Sequence, residues 1–257
     1  MNKEKKKLKT TKLLVVALLL LVGFTASTNA QFYVKVGAGY GILPLGAGPY
    51  DETPTDTTND PTAKGLGQGI YPNLGLGYMV NKYIGIELNG YYTLGTKIDP
   101  YGAAFDASGT RTAQLSGIFF APGIVVNAPL KSVTPFARVG LLLGIPQVKH
   151  EWTDVVASTN YAAKYTDKGG LGIGMEAGLG IGIKASKKLN VFIELFGNTI
   201  NFRPTDQDIT ETNYPGSVVE TRTYATGTGP FSAPTYALGT FGAKVGVQIL
   251  FGTMPKK

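Results

Sequence analysis

The chain has 257 residues, of which 43% are apolar and 16% charged, with 35 glycines, 15 prolines, one histidine and no cysteine. A soluble domain carries about 25% charged residues and about 7% glycine, so this chain is poor in charge and rich in glycine. The missing cysteine excludes a disulfide scaffold, a thiolate metal site, a cysteine nucleophile and a lipid-modified N-terminal cysteine. The single histidine, His150, leaves no histidine cluster for zinc.

The formal net charge is +7, and most of it is local. Lys3, Lys5, Lys6, Lys7, Lys9 and Lys12 precede an unbroken apolar run, Leu13 to Phe24, that ends in Ala26-Ser27-Thr28-Asn29-Ala30. A basic start, a short apolar run and small residues before a cleavage point make a secretory signal peptide. The run is shorter than the roughly 20 residues a membrane-spanning helix needs. Cleavage after Ala30 divides the chain into a signal peptide, 1–30, and a mature domain, 31–257, whose net charge is only +2. That balance gives no electrostatic footprint for nucleic acid.

From residue 31 the chain alternates with period two. In Tyr83–Gly95 the even positions are Ile84, Ile86, Leu88, Gly90, Tyr92 and Leu94, against Tyr83, Glu87, Asn89, Tyr91 and Thr93. In Gly170–Lys184 the odd positions are apolar, against glycines, Glu176 and Lys184. In Leu189–Arg203, Leu189, Val191, Ile193 and Leu195 alternate with Asn190, Phe192, Glu194 and Phe196. Such alternation marks strands with two different faces. Eight strands are predicted, at 32–43, 66–80, 83–96, 111–127, 133–149, 169–185, 189–203 and 236–251. The fourth is ambiguous in parity, because Ile118-Phe119-Phe120-Ala121-Pro122 is apolar on both faces.

The connections fall into two classes. Those at Asn81-Lys82, Pro129-Leu130-Lys131 and Ser186-Lys187-Lys188 are short. Those at 44–65, 97–110, 150–168 and 204–235 are long and rich in Thr, Asp, Pro and Gly, and are expected to be four mobile loops. Short turns alternating with long loops across an even strand count predict an all-β fold, an eight-stranded antiparallel transmembrane barrel of the outer membrane. A soluble sandwich keeps its apolar face inward and needs no such regularity. The two ends differ in charge: the long loops sum to −7, while Lys82, Lys131, Lys184, Lys187, Lys188, Lys256 and Lys257 give the short-turn end +7.

If the apolar set faces lipid, Lys35, Glu87, Arg138, Glu176, Glu194 and Lys244 point inward. Three carboxylates and three cations then share a lumen just wide enough for its own side chains. An ion-pair network is expected there, because an unpaired buried charge is costly. Tyr71, Tyr91, Phe192 and Phe196 should pack around it, and inward glycines should make room for large side chains on opposite walls. A glycine-lined cavity for a small apolar ligand is the alternative. Outward aromatics near strand ends (Phe32, Tyr78 and Phe251 at one end, Tyr40 and Tyr92 at the other) suit interfacial girdles. Trp152 falls in a long loop.

A cleaved signal, one eight-stranded barrel, inward charges and the final strand Tyr236–Phe251 resemble the outer membrane protein A/X-like small β-barrel superfamily. The segment Val133-Thr134-Pro135-Phe136-Ala137-Arg138-Val139-Gly140 is similar to strand starts of its "outer membrane protein beta-barrel" members. The resemblance implies a Gram-negative outer membrane location, folding by the barrel assembly machinery, and roles from envelope integrity to adhesion. Six residues follow Phe251, which matches the family's terminal aromatic, and the family's peptidoglycan-binding role does not carry over to 31–257.

Other chemistry is weakly supported. Gly37-Ala38-Gly39-Tyr40-Gly41 lies within a strand, not in the strand–turn–helix context of a nucleotide loop. Asp56-Thr57-Thr58-Asn59-Asp60 lacks the spacing of a calcium loop. His150, with Glu151 beside it and Ser158, Ser217 and Ser232 in outer loops, gives a lipid-modifying enzyme reading, but no histidine–x–serine arrangement supports it. The expectation is a non-enzymatic, monomeric barrel without metal or cofactor, in contact with outer-membrane lipid and lipopolysaccharide and acting through its surface or an envelope partner. A narrow pore or small apolar solute transport is the alternative.

Overall fold

The computed structural model describes residues 31–45, 66–98, 109–156, 159–212, 219–224 and 233–252. The signal segment, the Asp56–Asp60 stretch, Ser158, Ser217, Ser232, Lys256 and Lys257 lie outside the described residues. Eleven strands are formed: β1 (Gln31–Pro44), β2 (Gly69–Met79), β3 (Ile84–Gly95), β4 (Gly109–Asn127), β5 (Val133–Val156), β6 (Thr159–Lys168), β7 (Gly172–Lys184), β8 (Leu189–Phe202), β9 (Asp206–Thr212), β10 (Glu220–Thr223) and β11 (Tyr236–Phe251). Eight of them, β1–β5, β7, β8 and β11, pair antiparallel in a ring. The ring closes where β1 meets β11, from Phe32↔Phe251 to Pro44↔Thr240, and where β5 meets β7. Closure leaves the wall no unpaired edge, which a strand in hydrocarbon cannot tolerate.

The short turns are built locally. Asn81 Oδ1 accepts the amides of Tyr83 and Ile84 at 2.7 and 2.9 Å, which folds the β2–β3 turn over its own side chain. The β4–β5 and β7–β8 turns close through Leu130 N→Val133 O and Ala185 N→Leu189 O, both 2.9 Å. A bulge between Gly41 and Leu43 bends β1 near the outer rim.

Inside and outside follow the alternation. Ile86, Leu88, Leu94, Leu141, Ile145, Leu179, Ile181, Ile193 and Val245 are exposed on the outer wall, while their neighbours are buried. In β4 the odd positions Phe119, Ala121 and Val125 turn inward and Ile118, Phe120, Ile124 and Val126 outward, which resolves the ambiguous parity.

Among the described residues, two of the long connections expected to be mobile loops contain strands. β5 does not stop at residue 149 but runs 24 residues to Val156 and turns back as β6, pairing from Val148↔Asp167 to Val156↔Thr159. A strand needs about 9–11 residues to cross the bilayer, so β5 must project beyond it. Residues 206–212 and 220–223 continue this projection as β9 on β6 and β10 on β9. Trp152 is accordingly a β5 residue, in register with Arg111 and Ala163, and not a loop residue. The chain returns to the barrel through Gly169 and Gly170, whose φ of 74° and 72° only glycine adopts without strain. The second strand begins at Gly69 rather than 66. Leu66 is buried with the core and Tyr71 Oη donates to Gly67 O, so this stretch lies in the outer mouth.

Candidate functional site

The lumen is stacked in layers. Next to the short turns lies an apolar layer of Tyr33, Met79, Val125, Phe136, Phe192 and Leu250. Above it the six charged residues meet, each no more than 7% exposed. Lys35 Nζ lies 2.7 Å from Glu87 Oε2, and Glu87 also accepts Tyr33 Oη at 2.5 Å and Asn89 Nδ2 at 2.6 Å. Arg138 reaches Glu194 Oε1 with Nε at 2.7 Å and bonds Glu176 through Nη2. Lys244 Nζ lies 2.7 Å from the same Glu176 Oε1. The two lysines also sit over aromatic faces. Lys35 is 4.6 Å from the Phe136 centroid and Lys244 is 4.2 Å from that of Phe196. A larger apolar layer follows, in which Tyr71 contacts Tyr91 and Phe196 with ring centroids 5.6 and 5.4 Å apart, and Phe119 stacks on Tyr91 at 5.4 Å. A void of about 30 Å³ stands at the short-turn end and one of about 10 Å³ in the upper layer. A water needs about 10–15 Å³, so neither admits a solute larger than a few waters.

The glycines explain how so much fits, though not across the lumen as expected. Each charged residue faces a glycine on the adjacent strand: Lys35↔Gly75, Glu87↔Gly77, Arg138↔Gly178, Glu176↔Gly140, Glu194↔Gly180 and Lys244↔Gly39. The large rings do the same, as in Tyr33↔Gly77, Phe136↔Gly180 and Phe119↔Gly144. A Cβ on Gly39 would stand 2.5 Å from Lys244 Cγ, and one on Gly77 would collide with the Tyr33 ring. Long side chains therefore lie over the backbone beside them, because a lumen this narrow gives them little room to extend toward its axis.

The outer mouth is closed by a second polar cluster that sequence reasoning missed. Asp167 on β6, 2% exposed, accepts Tyr224 Oη at 2.7 Å and Gln207 Nε2 at 3.1 Å, and Tyr236 Oη donates to its other oxygen. His150 Nε2 lies 3.0 Å from Tyr236 Oη and 3.5 Å from Asp167 Oδ2. Because the Tyr236 proton goes to Asp167, Tyr236 Oη accepts from His150, which sets the Nε2–H tautomer. Burial pushes the Asp167 carboxyl up, but the nearby His150 ring and the hydrogen bonds from Tyr236 and Tyr224 outweigh it and hold the group below its ordinary value. Glu151, next to His150 in sequence, points outward to Lys97 at 2.5 Å. Only the register of β5 on β6, invisible in sequence, brings Asp167 to His150.

The outward aromatics are placed at the two ends of the wall. Phe251, Phe32 and Tyr78 lie side by side across β11, β1 and β2, with the Phe32 and Phe251 centroids 5.9 Å apart. Tyr40 and Tyr92 are exposed toward the other end, and Tyr40 Oη is 3.3 Å from Thr96 Oγ1.

A closed antiparallel ring of eight strands, apolar outside and charged within, is the architecture of an outer-membrane β-barrel. A family model described as the outer membrane protein beta-barrel domain matches residues 14–221, and the chain belongs to that family. Among solved structures, a major outer membrane protein from Thermus thermophilus aligns with a TM-score of 0.53 at 12% identity, over 86% of this chain and 99% of that one. That likeness is one of fold. The N-terminal β-barrel domain of Pseudomonas aeruginosa OprF aligns at 10% identity with a TM-score of 0.37, over 87% of this chain and 98% of that one. The E. coli Outer Membrane Protein W aligns at 12% identity with a TM-score of 0.35, over 84% of this chain and 97% of that one. No curated protein matches the chain.

Proposed function

We propose that this chain is a closed, non-conducting barrel that works through its outer surface, by stabilising the envelope or by holding lipopolysaccharide or a protein partner. The observation that carries this reading is the filled lumen. Among the described residues, two apolar layers and a layer in which each charged group meets an opposite charge occupy it, and the voids at its short-turn end and in its upper layer are about 30 and 10 Å³. The projecting sheet of β5, β6, β9 and β10 supplies a hydrogen-bonded surface for contact on the outer side. Export by a signal peptide at 1–30, folding by the barrel assembly machinery and a monomeric state belong to the same reading. The rival enzyme reading asks His150 to act as a base. Its Nε2 is already committed to Tyr236, which favours a role in closing the mouth.

Single-channel conductance of the refolded barrel in a planar bilayer tests the proposal, for the wild type and for Arg138→Ala. A silent wild type with flicker in the variant is the expected result. Steady conductance in the wild type overturns it and makes transport the function. Loss of lipid A modification in cells carrying His150→Ala would restore the enzyme reading.

A further inference from the structure

The short-turn end of the barrel carries Lys82, Lys131, Lys187 and Lys188, with Lys184 closing β7. Residues 80–83, 128–132 and 184–189, all described, contain no carboxylate. Four of the five lysines lie on two neighbouring turns. β5 pairs with β7, which places residues 128–132 against residues 185–188, with strand axes about 5 Å apart. The contact is fixed in detail. The Lys184 amide donates to Ser132 O at 3.0 Å, and its ammonium donates to Leu130 O and Lys131 O at 2.8 and 3.1 Å. Lys184 thus ties the two turns together, and Lys131, Lys187 and Lys188 stay exposed around the tie.

Their height on the wall matters as much as their charge. Leu130, next to Lys131, is 58% exposed, and Ile183, next to Lys184, is 45% exposed on the lipid side. The three lysines therefore lie within a few residues of the hydrocarbon edge. A headgroup layer is about 5–7 Å deep, and a lysine stem lying along apolar surface carries its charge into that layer. In this family architecture the short turns face the periplasm.

We propose that the rim between the lower ends of β5 and β8 binds anionic phospholipid headgroups of the periplasmic leaflet through Lys131, Lys187 and Lys188. An acidic polymer or a soluble acidic protein matches the charge equally well. The lipid is favoured because the lysines lie beside the exposed apolar turn residue Leu130 and the lipid-facing Ile183 rather than raised clear of the membrane.

The test reconstitutes the whole barrel in nanodiscs of phosphatidylethanolamine with phosphatidylglycerol, and counts retained lipids by native mass spectrometry. The variants are the triple K131Q/K187Q/K188Q and, on the far turn, K82Q. All three lysines of the triple variant are exposed and leave the Lys184 tie intact, and resistance of the folded band to heat verifies the fold. A lysine near an anionic surface strengthens contact about fivefold, so three together supply up to about a hundredfold. The wild type and K82Q should enrich phosphatidylglycerol, the triple variant should lose at least about tenfold of that preference, and high salt should weaken it in the wild type. Equal enrichment in the wild type and the triple variant overturns the proposal, as does an equal loss in K82Q. So does lysine-dependent co-sedimentation with purified peptidoglycan in the absence of any lipid preference.

Discussion

Strand β5 runs through two solvents, and its two halves obey opposite rules for charge. In the wall, Arg138 points in and is buried in an ion pair, while Leu141 and Ile145 point out into lipid. In the projection the inward parity continues, with Val148 fully buried, but the outward positions become Gln147, Lys149, Glu151 and Thr153. The strand and its pairing with β4 continue, while its other partner changes from β7 to β6. The medium on the outer side changes as well. Inside the wall a charge needs a partner because hydrocarbon lies on one side and packed rings on the other. On the projection water solvates it, and a pair such as Lys168–Asp208 at 2.5 Å is an exposed convenience.

Breaking the buried set should therefore cost far more than breaking the exposed one. Arg138→Ala leaves Glu194 without a cation and Glu176 with Lys244 alone, and is expected to destabilise the barrel by about 3–5 kcal/mol. Urea unfolding in lipid vesicles measures this, and a change below about 0.5 kcal/mol would mean that water reaches the layer. At the boundary between the two media, Asp167→Asn removes a charged acceptor from three hydrogen bonds and should cost about 1–3 kcal/mol. Because the folded-state pKa of Asp167 is held below its ordinary value, its contribution is complete above about pH 4 and fades as pH falls further. Trp152 fluorescence followed from pH 6 to pH 2 should show the projection loosening in acid, with a shallower profile in the Asn variant. At the exposed extreme, Lys97→Ala breaks the pair with Glu151 and should change stability by no more than about 0.5 kcal/mol, less at high salt. A larger loss would show that the projection is as dry as the wall.

What is legible in the sequence follows the same division. Period-two alternation places a residue on one side of a wall with high fidelity, because one slip in register moves every side chain to the wrong medium. The inward set Lys35, Glu87, Arg138, Glu176, Glu194 and Lys244 is readable for that reason. Which cation meets which carboxylate is not. Lys244 and Glu194 are opposite one another in register, yet Lys244 bonds Glu176 and Glu194 bonds Arg138. The glycines look like spacers for the far wall, since parity says that a residue faces inward but not over which neighbour a long side chain lies. The projection escapes a sequence reading because it is polar on one face and rich in Thr, Asp and Tyr, which resembles a loop when the expected strand length is one membrane crossing. Asp167, Tyr224 and Gln207 go unseen with it.

The distribution of the six charges over the ring also bears on how the ring is made. Glu87, Arg138, Glu176 and Glu194 lie on β3, β5, β7 and β8, whereas the remaining cations, Lys35 and Lys244, lie on β1 and β11, the two strands that form the closing seam. A half-built sheet from β2 to β8 carries three carboxylates against a single arginine. The first and last strands each bring one of the missing positive charges, so the lumen becomes neutral only when the chain's two ends join. Zipping the seam is then an electrostatic event as well as a hydrogen-bonding one, and an incomplete barrel is penalised in hydrocarbon until it is shut.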